Sequence, residues 1–93
     1  MSRPKKDRCL VCGHDGSYQP LDHEHVLTAK ARPDLVEDER NIMVLCRRCH
    51  ILKGTKGVSF MADNFPQYKN WLIAKGFTFV EHEKKWRLYV DTP

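Results

Sequence analysis

Two Cys-x-x-Cys pairs, Cys9/Cys12 and Cys46/Cys49, constrain this chain more than any other feature. A two-residue gap lets a tight turn aim two thiolates at one ion, and two such pairs complete a tetrahedral four-sulfur shell. Gly13 follows the first pair, where such a knuckle calls for a residue at positive φ. The second pair sits where a short helix is expected to begin, with its sulfurs three positions apart on one side. Two disulfides, or four unrelated buried thiols, are the alternative, but nothing in the sequence points to secretion. A saturated shell of four cysteines leaves no position open for water, so the Zn²⁺ expected here is structural. At 93 residues the core alone is a marginal source of stability, and an ion tying residue 9 to residue 49 supplies a staple.

The composition, 41% hydrophobic and 30% charged, fits a folded globular chain and argues against global disorder. No apolar run approaches the length of a membrane span, and the basic N-terminus has no apolar stretch behind it, so no signal peptide is expected. A soluble, cytoplasmic protein with no membrane partner is therefore expected. The net charge of +4 leans towards a polyanion, although solubility alone explains such an excess equally well. Basic residues cluster at the N-terminus, at Arg47 and Arg48, at Lys53 and Lys56, and at Lys84 and Lys85, while acidic residues gather between Asp34 and Glu39.

Residues 1–8 read as a basic arm, 9–57 as a zinc-bound core and 58–93 as a separate C-terminal element. Within the core, 18–27 suits a half-buried strand. Residues 28–40 are polar, contain Pro33, and read as a loop with room for a turn of helix. Ile42, Met43, Val44 and Leu45 form a second strand. A short helix over 46–53 follows, stopped by Gly54 and Gly57. Beyond it, Asp63 or Asn64 is placed to cap a helix starting near Pro66 and stopping at Gly76. Residues 77–80 and 86–90 then look like a hairpin, though its turn lacks an Asn-Gly or Asp-Gly signal. The fold class is α+β.

Between the cysteine pairs lies Leu21-Asp22-His23-Glu24-His25-Val26; Asn41 comes later, and His50 directly follows the last cysteine. Cleaving a phosphodiester needs a hard cation to neutralise the phosphate and the leaving oxygen, and a base to deprotonate water. Carboxylate and imidazole ligands can hold such an ion with positions left open, and a neutral histidine is a natural base near pH 7. One residue is about 100° around a helix, so if Cys49 faces the zinc, His50 points to another flank.

Cys9-x-x-Cys12, Asp22-His23, Asn41, and the run from Leu45 through Cys46-Arg47-Arg48-Cys49-His50 to Lys53 together resemble the HNH endonuclease family. The segment 21–25 is also similar to the active-site strand of the recombination endonuclease VII type of phage junction-resolving enzyme. The resemblance covers about residues 9–54; nothing in 58–93 adds to it. It implies a small ββα-metal, treble-clef-like core carrying the structural zinc, to which the helix and hairpin are appended. It further implies His23 as general base, Asp22 and His50 as ligands of a catalytic divalent ion (Mg²⁺ or Mn²⁺), and Asn41 as the brace of loop and strand. DNA is the implied partner, with a homodimer as one way to cut both strands, and a phage origin with action in the bacterial host fits the small size.

The residues themselves leave alternatives open. In a regular strand Asp22 and His23 face opposite sides, which groups Asp22 with Glu24 and His23 with His25. Both can reach one phosphate only if the strand bulges or the phosphate lies at its edge. His25 is a helper, a substrate contact or an ordinary packed histidine. Arg47, Arg48, Lys53 and Lys56 are expected to meet phosphates, against the plainer option of a solvated helix face. Arg3, Lys5 and Lys6 are either a DNA-tracking arm or a tail, and His14 and His82 lie outside the motif. The aromatic C-terminus (Phe60, Phe65, Tyr68, Trp71, Phe77, Phe79, Trp86, Tyr89) makes a small core, a base-stacking platform or a dimer interface. The rivals to a nuclease are a non-catalytic zinc-binding module that contacts nucleic acid, and a small assembly protein.

Overall fold

The cysteine knuckle leads into β1 (Leu21–His25), which pairs antiparallel with β2 (Ile42–Cys46), in a computed structural model that describes residues 4–89. The five pairs run without interruption from Leu21 opposite Cys46 to His25 opposite Ile42. β2 is buried at all five positions, whereas in β1 only Leu21 and Glu24 are buried and Asp22, His23 and His25 are half-buried. Helix α1 (Arg47–Lys56) starts directly from the end of β2 and packs against both strands. α2 (Val58–Asn64) and α3 (Pro66–Ala74) follow, and β3 (Thr78–Val80) and β4 (Lys85–Arg87) close an antiparallel hairpin. The fold is α+β, with two two-stranded sheets and the strand–strand–helix order of a ββα-metal core.

The loop between β1 and β2 holds two 3₁₀ turns, Pro33–Leu35 and Glu39–Asn41. Asp38 caps the second by accepting from the Arg40 backbone N–H. α1 runs through Gly54 to Lys56, past the stop expected there. Gly57, at φ +91, ends it instead, because the left-handed region is open to glycine. Helix α2 was not foreseen from the sequence. It spans two turns without a side-chain cap and is held by burying Met61 and Ala62. Neither Asp63 nor Asn64 caps α3: Phe65 stands at the cap position, and the Asn64 side-chain amide turns back to donate to Phe60 O at 2.9 Å. Pro66 opens α3 and Gly76 (φ +97) follows its end, both as expected.

Tyr68 and Leu72 of α3 are fully buried, and they join Leu45, Met61, Phe77, Trp86 and Leu88 in one continuous core that reaches Cys9. The two halves of the chain thus share a hydrophobic interior. The hairpin packs Phe79 against Trp86 with tilted rings and centroids 5.5 Å apart, and Phe77 meets Trp71 at 6.4 Å. Its turn is closed by Glu83 N–H donating to Val80 O, and Lys84 takes the left-handed conformation (φ 56) that an Asn-Gly pair would otherwise supply. The expected strand end at Val90, and Arg3 of the arm, lie outside the described residues.

Candidate functional site

The cysteine pairs meet where β2 hands over to α1. Gly13, at φ +75, folds the first pair into a knuckle: its N–H donates to Cys9 O, and the Cys12 N–H approaches Cys9 Sγ at 3.5 Å. The Leu10 N–H donates to Val44 O at 2.9 Å and docks the knuckle on β2, so Cys9 and Cys12 face Cys46 and Cys49. All four thiols are free, and their sulfurs lie within 4.8 Å of one another. The Cys12–Cys46 separation is 3.7 Å, close to the edge of about 3.8 Å expected of a tetrahedron with 2.3 Å zinc–sulfur bonds. A cluster of this size and donor set can hold one zinc ion.

The thiols are not equivalent. Burial pushes Cys9 up, but the backbone N–H groups of Cys12, Cys46 and Val11 outweigh it and bring the thiol down to about 7. Burial pushes Cys49 well above the ordinary thiol range, and its sulfur neighbours add to the shift. Four sulfurs this close are poorly accommodated without a cation to take their charge.

β1 presents its side chains alternately. Asp22 and Glu24 face α1, where His50 stands between them: its Nε2 is 2.9 Å from Glu24 Oε2 and its Nδ1 is 3.4 Å from Asp22 Oδ2. Arg47, one turn back on α1, grips both Asp22 oxygens at 2.9 and 3.2 Å and holds that carboxyl below its usual range. Two buried atoms here, Glu24 Oε2 and His50 Nδ1, have no hydrogen bond. His50 Nε2 is near Glu24 Oε2, but the contact lacks hydrogen-bond direction. Unpaired donor atoms of this type suit a hard divalent cation, so the residues fit one.

His23 and His25 project to the other face of β1. A carbonyl oxygen can only accept, so each ring donates from Nε2: His23 to Pro4 O at 2.7 Å, His25 to Val36 O at 2.8 Å. In their neutral forms both keep the lone pair on Nδ1. The bulge that would bring Asp22 and His23 to one side is replaced by regular pairing, so His23 meets neither Asp22 nor His50 in the described contacts.

Asn41 is fully buried before β2. Its amide donates to Leu27 O and Leu35 O, and its Oδ1 accepts from the Leu27 N–H, clamping the 28–40 loop to the end of β1. Asn41→Ala leaves the Leu27 N–H and C=O unpaired, while Leu35 O keeps the Asp38 N–H, and is expected to destabilise the fold by about 3 kcal/mol, read as a lower urea midpoint with unchanged zinc content. A loss below about 1 kcal/mol would mean that the loop is held by something else.

The basic residues divide. Lys53, expected to meet phosphate, is instead buried at 7% exposure; its ammonium donates to Glu24 Oε1 at 3.1 Å and to His25 O at 2.8 Å. A lysine three residues after His50 comes round to the inner flank of α1, which charge clustering in the sequence does not reveal. Arg47 is tied to Asp22. Arg48 is exposed, with its backbone N–H on Gln19 Oε1, and Lys56 stands 5.8 Å over the Phe60 ring. Glu24, not among the residues that the resemblance implies, stands beside His50 on the face that strand alternation shares with Asp22. His14 accepts from the Gly16 N–H and His82 lies exposed in the hairpin turn, both outside the clusters. No helix among the described residues is long and apolar enough to cross a membrane.

Compared with known families, residues 9–56 match the model of the HNH endonuclease family. No curated protein and no solved structure matches the chain.

Proposed function

This chain belongs to the HNH endonuclease family, a nuclease family with nucleic-acid substrates, and from that premise we propose that it hydrolyses DNA phosphodiester bonds. The observation that carries the proposal is His50: it adjoins Cys49 in the sulfur cluster and points its ring between two carboxylates of β1. A purely binding module needs the sulfur cluster but has no use for an imidazole and two acids at its flank.

The roles follow the resemblance. Zinc on Cys9, Cys12, Cys46 and Cys49 fixes the start of α1 against β2. His50 and a β1 carboxylate, Asp22 on the resemblance, hold a divalent cation, Mg²⁺ or Mn²⁺. When bound, that cation offsets charge on the phosphate and the departing 3′ oxygen. His23 takes a proton from a water at the edge of β1, the water oxygen bonds to phosphorus as the P–O3′ bond breaks, and the departing 3′ oxygen takes a proton from solvent, giving a 5′-phosphate and a 3′-hydroxyl. Asn41 keeps β1 and its following loop in place. Arg48, Lys56, Lys5 and Lys6, exposed and without acidic partners in the described contacts, track the DNA backbone and read no bases. Residues 58–93 complete the core beneath this unit.

Plasmid nicking by the zinc-loaded protein, with and without Mg²⁺ or Mn²⁺, is the test. Nicking that requires the added cation is expected, and linear product early in the course would mean that two copies act together. No cleavage of plasmid, junction or single strand, with salt-sensitive DNA binding intact, would make the chain a binding module instead.

A further inference from the structure

We propose that Glu24 is a protein ligand of the catalytic cation, acting through Oε2 beside His50 Nε2, and that Asp22 orients the His50 ring from its opposite edge. This rests on the nuclease reading above and redistributes the roles of its two carboxylates.

Glu24 is 8% exposed, yet only one of its oxygens is satisfied: Lys53 holds Oε1, while Oε2 is buried without a hydrogen bond. A carboxylate taken this far from water normally finds donors for both oxygens. Oε2 faces His50 Nε2 at 2.9 Å with no directional hydrogen bond between them. Adjacent ligands of an octahedral ion with bonds of about 2.1 Å stand about 3.0 Å apart, so the pair is spaced as two ligands of one small cation.

Asp22 is placed differently. Both its oxygens are on the Arg47 guanidinium, and it approaches His50 on the Nδ1 side, 3.4 Å away. One imidazole gives an ion a single nitrogen, and its other ring nitrogen characteristically donates to a carboxylate behind it. Asp22, steadied by Arg47, stands on that side of the ring, where the buried Nδ1 has no hydrogen bond and Asp22 Oδ2 lies 3.4 Å away. Lys53 completes the arrangement, because its two bonds leave Glu24 one free oxygen and a fixed direction.

The test is Mn²⁺ binding to the zinc-loaded full chain, followed by the electron paramagnetic resonance signal of free Mn²⁺, with zinc content and melting temperature recorded for every variant. Glu24→Gln is expected to weaken binding at least tenfold, and Asp22→Asn by a smaller factor. Glu24→Gln leaves the buried Lys53 ammonium with only the His25 carbonyl, which endangers folding. The double variant Glu24→Gln/Lys53→Met removes both charges and should fold, load zinc and still bind Mn²⁺ weakly. Wild-type affinity in the folded double variant overturns the proposal, as does Mn²⁺ binding abolished by Asp22→Asn but untouched by Glu24→Gln. The two levels separate cleanly: Mn²⁺ binding lost with Glu24 in a protein that cuts nothing retains the ligand and removes the nuclease. Nicking that persists while Glu24→Gln binds Mn²⁺ normally does the reverse.

Discussion

Cys49→Ser is expected to leave the chain without its native structure at room temperature. A serine hydroxyl is not a zinc ligand at neutral pH, and Cys49 supplies the corner of the cluster that lies inside α1. Structural zinc sites contribute about 10–16 kcal/mol of apparent binding free energy, while whole domains are stable by only about 5–15 kcal/mol. Losing the ion therefore outweighs the rest of the fold, which at this chain length has no second core to fall back on. The loss should appear as a collapsed far-UV circular dichroism spectrum, no cooperative melt and less than one zinc per chain. A strong chelator should do the same to the wild type. A variant that melts like wild type without zinc would remove the metal from the account of stability.

His23→Ala is expected to lower cleavage by about 10²–10⁴-fold, the usual contribution of a positioned general base. Its ring is held at Nε2 by Pro4 O, so Nδ1 is the atom left to take a proton from a water at the edge of β1. The side chain is half-buried on the face of β1 away from α1, and its removal should leave zinc content and the melt nearly unchanged. His25→Ala is the control, because that ring is held in the same way, by Val36 O. If His23→Ala cuts at the wild-type rate and folded His25→Ala does not, the base is His25. Nicking rates on plasmid at saturating Mg²⁺ decide between them.

Much of this arrangement could be read from the sequence because it is set by local spacing. Two-residue gaps between cysteines, a glycine after the knuckle, and an apolar run ending at Cys46 each act over a few residues, and the cluster, β2 and the start of α1 lie where those signals put them. Other features depend on tertiary partners. Gly54 reads as a helix stop, but its exposed position costs the helix only about 1 kcal/mol, and the turn is held through the inward anchor at Lys53. α2 has no cap and a weak pattern, and it exists because Met61 fills the interior. The charge run places Lys53 with the surface cations, because it does not say which member turns inward. Strand alternation did pair Asp22 with Glu24. That they close on His50 is a property of how α1 crosses β1.

The position of Cys49 beside His50 has a consequence for how the protein is made. Chains fold as they leave the ribosome, N-terminal parts first. Cys12 emerges 34 residues ahead of Cys46, so the knuckle waits half-liganded while all of β1 and the long loop are synthesised. Only when the second pair is out can the ion be enclosed and α1 swing His50 over the acids of β1. A nascent chain stalled or truncated before that point carries Asp22, His23 and Glu24 but no assembled centre. Built in this order, the centre is complete only once synthesis has passed the step that also fixes the fold.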